Sequence, residues 1–173
     1  AFEVHPNHAA NVAKAFGLDH LDGPAFAVIW TTTPWTLPAN EAVSVHPDVT
    51  YALVGTARGN LILGADLAAS ALQRYDLQGQ VLGQCTGAAL EHVLLRHPFY
   101  NKEVPIICGE HVTTDAGTGL VHTAPAHGVD DFNIGKKYGL PVDNPVGDDG
   151  HFLQRTAPLP TEPLAGLSVW DAN

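Results

Sequence analysis

Two imidazoles, a pair of adjacent carboxylates and three consecutive hydroxyls are the groups in this chain whose types and spacing could do chemistry. His122, His127, Asp130 and Asp131 lie in the stretch DAGTGLVHTAPAHGVDDFNIGKKYGL, from Asp115 to Leu140. Thr31, Thr32 and Thr33 lie in WTTTPWTLPAN, from Trp30 to Asn40. A metal site would need His122, His127 and one of the aspartates as ligands. The spacing is not that of a helical His-Glu-x-x-His pair, and Pro125 keeps both rings off a single helix face. A metal-dependent hydrolase is therefore a minor reading, and no metal ligand is assigned. Asp130 and Asp131 could simply stabilise a helix start, by about 0.3–1 kcal/mol each. A carboxylate there could also hold a cationic ligand group through a charge-assisted hydrogen bond. Neighbours on a helix point about 100° apart, so only one of the two can face a given site. The threonines could cap backbone groups at a strand end. No Ser-His-Asp order, Gly-x-Ser-x-Gly elbow or cysteine nucleophile accompanies these motifs.

Positioning such groups takes strands that end near them and a helix that starts there. Gly117 and Gly119 permit a tight turn before the apolar pair Leu120 and Val121. His122 is then expected at a strand end, His127 in the following loop, and a helix from Val129 to Tyr138 closed by Gly139 and Pro141. Ala25 to Trp30 reads as a buried strand delivering the threonines, with Pro34 and Pro38 stiffening the loop after them. Trp30 and Trp35 read as core more readily than as stacking platforms.

Further strands are expected at Ala1 to His5, Ala42 to Val45, Val81 to Thr86, Leu90 to Leu95, Val104 to Cys108, His111 to Thr113 and His151 to Leu153. Tyr51 to Thr56 and Asn60 to Leu63 should form a hairpin. Asn7 should cap a helix from Ala9 to Phe16, and Asp66 to Tyr75 should form another. The tail through Pro158, Pro160 and Pro163 reads as extended. These elements predict a mixed α/β fold: a β-barrel-like core of short strands, closed or nearly so, with a few peripheral helices. Residues 1–173 read as one domain.

Together the two motifs resemble the inserted editing domain of isoleucyl-tRNA synthetases of bacterial type. The matching residues are Trp30 to Asn40, Gly117 to Pro125, Gly128, Asp130-Asp131, Asn144-Pro145-Val146-Gly147 and Ala172-Asn173. The related valyl and leucyl enzymes tend to carry Arg after two threonines and to lack a His after Gly-Thr-Gly-x-Val. Thr33 and His122 thus tip the resemblance to the isoleucyl branch.

The resemblance implies hydrolysis of valine misattached to isoleucine tRNA, and of valyl-adenylate as a second substrate. It places Thr31, Thr32 and Thr33 around the terminal adenosine, the amino acid and the attacking water. It gives Asp131 the substrate α-ammonium and makes His122 a wall that limits side-chain size. Trp30 and Asn40 join the substrate-binding set. No cofactor is implied, because an aminoacyl ester needs only an oriented water and a stabilised oxyanion. The implied partners are the aminoacylated 3′ end of isoleucine tRNA and the catalytic body of a larger parent synthetase. A monomer in the cytoplasm is expected, with no membrane partner. A missing methylene is worth only about 1–3 kcal/mol (a general figure that isoleucine–valine discrimination itself supplies), so a second sieve is needed.

Composition bounds this reading. The chain has 173 residues, enough for a sizeable core, and no initiating Met, which fits a fragment of a larger protein. Cys85 and Cys108 show no paired spacing, which suits a reducing compartment. A net charge of −10 argues against gripping nucleic acid by charge alone. That tension eases if the domain meets only the terminal nucleotides. Two rivals remain: a valyl-tRNA synthetase editing domain that removes threonine, and a non-catalytic module that only positions the tRNA acceptor end.

Overall fold

The apolar runs become strands because each is short, rich in Val, Ile and Leu, and bounded by Gly, Pro or Asp. The computed structural model describes residues 1–154 and 164–173; the expected extended tail at Pro158, Pro160 and Pro163 lies outside them. The strands are β1 (Phe2–Val4), β2 (Ala25–Ala27), β3 (Ala42–Val45), β4 (Thr50–Thr56), β5 (Gly59–Gly64), β6 (Gly79–Thr86), β7 (Leu94–Arg96), β8 (Glu103–Cys108) and β9 (Leu120–Thr123). Among the described residues, three α-helices accompany them: α1 (Ala9–Ala15), α2 (Ala68–Arg74) and α3 (Val129–Tyr138).

The strands form one mixed sheet in the order β6-β4-β5-β2-β1-β7-β8-β3-β9. Most neighbours run antiparallel, but β2 pairs with β5 and β3 with β8 in parallel. The mixed α/β class is as expected. Barrel closure is not, since the order is open with β6 and β9 at its two ends.

The chain divides into two compact units. The first comprises Ala1–Trp30 and Ala42–Val121 and carries the bulk of the sheet. Its core holds Phe2, Tyr51, Leu53, Ile62, Leu63, Leu95, Ile106 and Ile107, all fully buried. Each such side chain contributes about 1.5–3 kcal/mol through burial. The Gly-Thr-Gly turn is pinned here. Gly117 and Gly119 take φ of 80° and 78°, left-handed values that a side chain would resist. Tyr51 donates its hydroxyl to the Gly119 carbonyl at 2.7 Å and accepts the His46 N–H at 2.9 Å. Burial pushes the Tyr51 phenol up to about 12, so it remains a donor across physiological pH.

The second unit comprises Thr31–Glu41 and His122–Asn173. It contains the end of β9, helix α3 and the segment after Trp30. That segment is not the stiff loop expected but a 3-10 helix, Pro34–Ala39. Pro34 stands at its first turn, where a fixed φ favours helix entry and a missing N–H costs nothing.

Several expected elements come out differently. Asn7 does not cap α1; it lies in a 3-10 turn, Pro6–His8, and its own N–H is accepted by His5 Nδ1. The strand expected over Ala25 to Trp30 stops at Ala27. The Leu90 to Leu95 run splits into a 3-10 turn, Gly87–Leu90, and β7. His111 to Thr113 is irregular, and His151 and Phe152 make only isolated bridges. The tryptophans are not core. Trp30 is 47% exposed and lies over Gly117, where a Cβ would stand 3.3 Å from its own; Trp35 is half-buried.

Candidate functional site

Three consecutive residues where β9 gives way to its following loop each hold a different part of the second unit. His122, the third residue of β9, points Nε2 at the Thr36 hydroxyl at 3.0 Å. The next residue, Thr123, offers its carbonyl to the Glu41 N–H at 2.9 Å and to Asn40 Nδ2 at 3.5 Å. Ala124 donates its N–H to Asp131 Oδ2 at 2.8 Å. Thr36, Asn40, His122, Thr123 and Ala124 are all buried, so these bonds act where water competes little.

Helix α3 brings Asp131 to this spine. Gly128 is its extended N-cap and makes no side-chain cap; Asp130 and Asp131 occupy the first turn. Asp130 is exposed, whereas Asp131 is half-buried and turned toward Ala124. The adjacent carboxylates therefore diverge as helical spacing requires. Gly135 lets the helix lie close to the preceding loop, since a Cβ there would come within 2.7 Å of Pro125 Cγ. Gly139 ends the helix at φ 66°, with the Leu140 N–H returning to the Gly135 carbonyl at 2.8 Å.

The threonines separate by role. The Thr31 hydroxyl accepts the Thr33 N–H at 3.0 Å and stands 3.4 Å from the Thr33 hydroxyl. Thr32 and Thr33 are exposed, and Thr31 is half-buried. Thr36 is the hydroxyl that sequence reasoning passed over, though it sits in the same motif. It is 5% exposed, and its Oγ1 donates to the Thr33 carbonyl at 2.9 Å. Its buried partner lies 86 residues away, which no local pattern signals. Trp30, by contrast, belongs to the first unit.

The two histidines share an environment hostile to charge. Burial, then the neighbouring His127, lowers the His122 pKa from 6.5 to about 4. Burial alone lowers that of His127, whose ring meets Trp35 edge-on at 5.2 Å. Both rings are therefore neutral at pH 7. Among the described residues, no three His, Cys, Asp or Glu side chains gather as a metal would require.

The His122 shift makes a stability prediction. Unfolded His122 takes up a proton near pH 6.5, whereas the folded form resists it until about pH 4. The unfolded state binds more protons in that window, so stability falls as pH drops through it and levels off below. The full effect is roughly 3 kcal/mol. Urea unfolding across this window should show a shallower slope for His122→Gln than for the unaltered chain. Equal slopes would contradict a buried neutral His122.

The family model described as leucyl-tRNA synthetase, editing domain, matches residues 74–159. The isoleucine–tRNA ligase of Dechloromonas aromatica is 69% identical over all of this chain. The chain belongs to the isoleucyl-tRNA synthetase family, as its editing segment. The isoleucine–tRNA ligase of Thiobacillus denitrificans is 54% identical over 95% of the chain. The chain spans only 19% and 17% of the lengths of these two ligases. The fold recurs in a crystal structure of GlLeuRS-CP1, with a TM-score of 0.64 and 20% identity over 98% of this chain and 73% of that one. The editing domain of P. knowlesi cytosolic leucyl-tRNA synthetase is also similar, with a TM-score of 0.58 and 12% identity over 67% of this chain and 52% of that one. At such identities the likeness speaks to the fold. For this editing segment, the spine at His122 to Ala124 gathers Thr36, Asn40 and Asp131.

Proposed function

We propose that this chain hydrolyses the ester joining valine to isoleucine tRNA, as the editing domain of a larger isoleucine–tRNA ligase. Water would add to the ester carbonyl, the carbonyl–ribose oxygen bond would break, and the ribose hydroxyl would leave with a proton. The products are free valine and uncharged tRNA. The observation that carries this reading is the juxtaposition at the end of β9: a buried neutral imidazole at His122, and a carboxylate at Asp131 tied two residues further on. A neutral ring can bound an apolar side chain, and a carboxylate can hold an α-ammonium.

In this proposal the Thr31, Thr32 and Thr33 hydroxyls surround the terminal adenosine, the amino acid and the attacking water. Trp30, nearly half exposed, meets the substrate from the preceding residue. Asn40, fully buried, bears on the substrate by bracing Thr123. The family relationship supports the hydrolytic role, and the choice of valine rests on His122.

The test is deacylation by a full-length isoleucine–tRNA ligase carrying this segment. Valyl- and isoleucyl-esters of isoleucine tRNA, and the threonyl-ester of valine tRNA, would be offered separately. Rapid release of valine with isoleucine spared is expected. Preferential release of threonine would favour the valyl-type reading, and binding without release of any amino acid would favour a positioning module.

A further inference from the structure

Thr36 and His122 form a buried pair whose proton arrangement the geometry decides. Thr36 Oγ1 lies 2.9 Å from the Thr33 carbonyl and 3.0 Å from His122 Nε2. A hydroxyl has one proton, and a carbonyl can only accept. If the hydroxyl served Nε2, two oxygen lone pairs would face each other at 2.9 Å. Nδ1 would then carry the ring proton, yet it is buried with no hydrogen-bond partner among the described residues. An orphaned buried donor is costly, and a carbonyl oxygen left against another oxygen adds to that cost. If instead the hydroxyl serves the carbonyl, Nε2–H donates to Thr36 and Nδ1 keeps only a lone pair. The second arrangement satisfies every proton.

We infer that Thr36 is a positioning residue: it holds the His122 ring in one plane and in the Nε2–H tautomer, leaving Nδ1 as a buried acceptor. This deepens the proposed function and rests on it for its consequence. A wall that excludes one methylene must not rotate, and the Thr36 bond opposes rotation of the ring. The unpartnered Nδ1 is suited to a donor small enough to share the buried space, and a water molecule has that chemistry. His127 Nε2 is likewise buried and unpartnered among the described residues.

The experiment compares the unaltered chain with Thr36→Val, which keeps the shape and loses the hydroxyl, and Thr36→Ser, which keeps the hydroxyl. Nitrogen-15 NMR of histidine-labelled protein reads the tautomer, with His122 assigned by the signals lost in His122→Asn. The unaltered chain should show a protonated Nε2 and a bare Nδ1. In Thr36→Val the tautomers should mix, and hydrolysis of isoleucyl-tRNA relative to valyl-tRNA should rise about tenfold, the worth of one buried hydrogen bond. Thr36→Ser should restore both properties. A protonated Nδ1 in the unaltered chain overturns the inference, and that measurement needs no variant to fold. Unchanged tautomer and discrimination in Thr36→Val overturn it as well, and a changed tautomer with unchanged discrimination overturns the link to selectivity. The Nε2–H signature at His122 together with a full-length ligase that releases no valine confirms the tautomer and sinks the editing reading instead.

Discussion

His122→Ala should convert the chain from sparing isoleucyl-tRNA to hydrolysing it. The ring is 6% exposed, and among the described residues it is hydrogen-bonded at Nε2 and not at Nδ1, so truncating it would remove the proposed wall at the loss of that one bond. Thr36 is not orphaned by the change, because its hydroxyl still meets the Thr33 carbonyl. The loss therefore falls on shape. One methylene in an apolar pocket is worth about 1–3 kcal/mol, so isoleucyl hydrolysis relative to valyl should rise by about 10–200-fold. Exclusion by overlap can be stronger than that, which places the expected change at the upper end. Rates on both esters must be measured in the full-length ligase, with thermal unfolding beside them. Normal valyl hydrolysis with isoleucyl-tRNA still spared would show that His122 does not set the size limit.

Asp131→Asn and Asp131→Ala should each lower valyl-tRNA hydrolysis by at least about tenfold. A hydrogen bond to a charged group contributes about 1.5–3 kcal/mol, and a misplaced ester loses further rate. The structure separates the two variants. Asp131 Oδ2 accepts the buried Ala124 N–H, and an asparagine carbonyl can do the same. Asn thus removes the charge and keeps the brace, whereas Ala also strands a backbone donor at a cost of about 1–3 kcal/mol. Unfolding should accordingly show Asp131→Ala clearly destabilised and Asp131→Asn much less so. Asp130→Ala, at an exposed position, should leave hydrolysis nearly intact. Full activity in a folded Asp131→Asn protein, or equal losses at Asp130 and Asp131, would remove Asp131 from the ammonium role.

Where the sequence was decisive, the controlling physics is local. Helix α3 runs from Val129 to Tyr138 as read, because Gly139 supplies the left-handed residue that ends it. The β4–β5 hairpin follows from two apolar runs around Ala57-Arg58-Gly59. The left-handed glycines of the Gly-Thr-Gly turn could also be foreseen, and so could the divergence of Asp130 and Asp131. The resemblance to the isoleucyl branch rested on contiguous motifs of the same local kind.

What only the tertiary structure decided depends on partners far apart in the chain. The parallel pairing of β2 with β5, and of β8 with β3, joins strands that no turn connects. Nothing in their alternation fixes their neighbours or keeps the sheet open. The threonine motif misled for a related reason. Its prolines read as loop stiffeners, yet Pro34 enters a 3-10 helix whose Thr36 reaches a buried ring across 86 residues of sequence. Trp30 looked like core because it follows an apolar run, but burial depends on what packs over a side chain and not on its type. Residue types and spacing determined which groups could do chemistry. The fold determined which of them are braced, which carry a proton and which meet solvent, since hydrogen-bond partners and dielectric are properties of the packed chain.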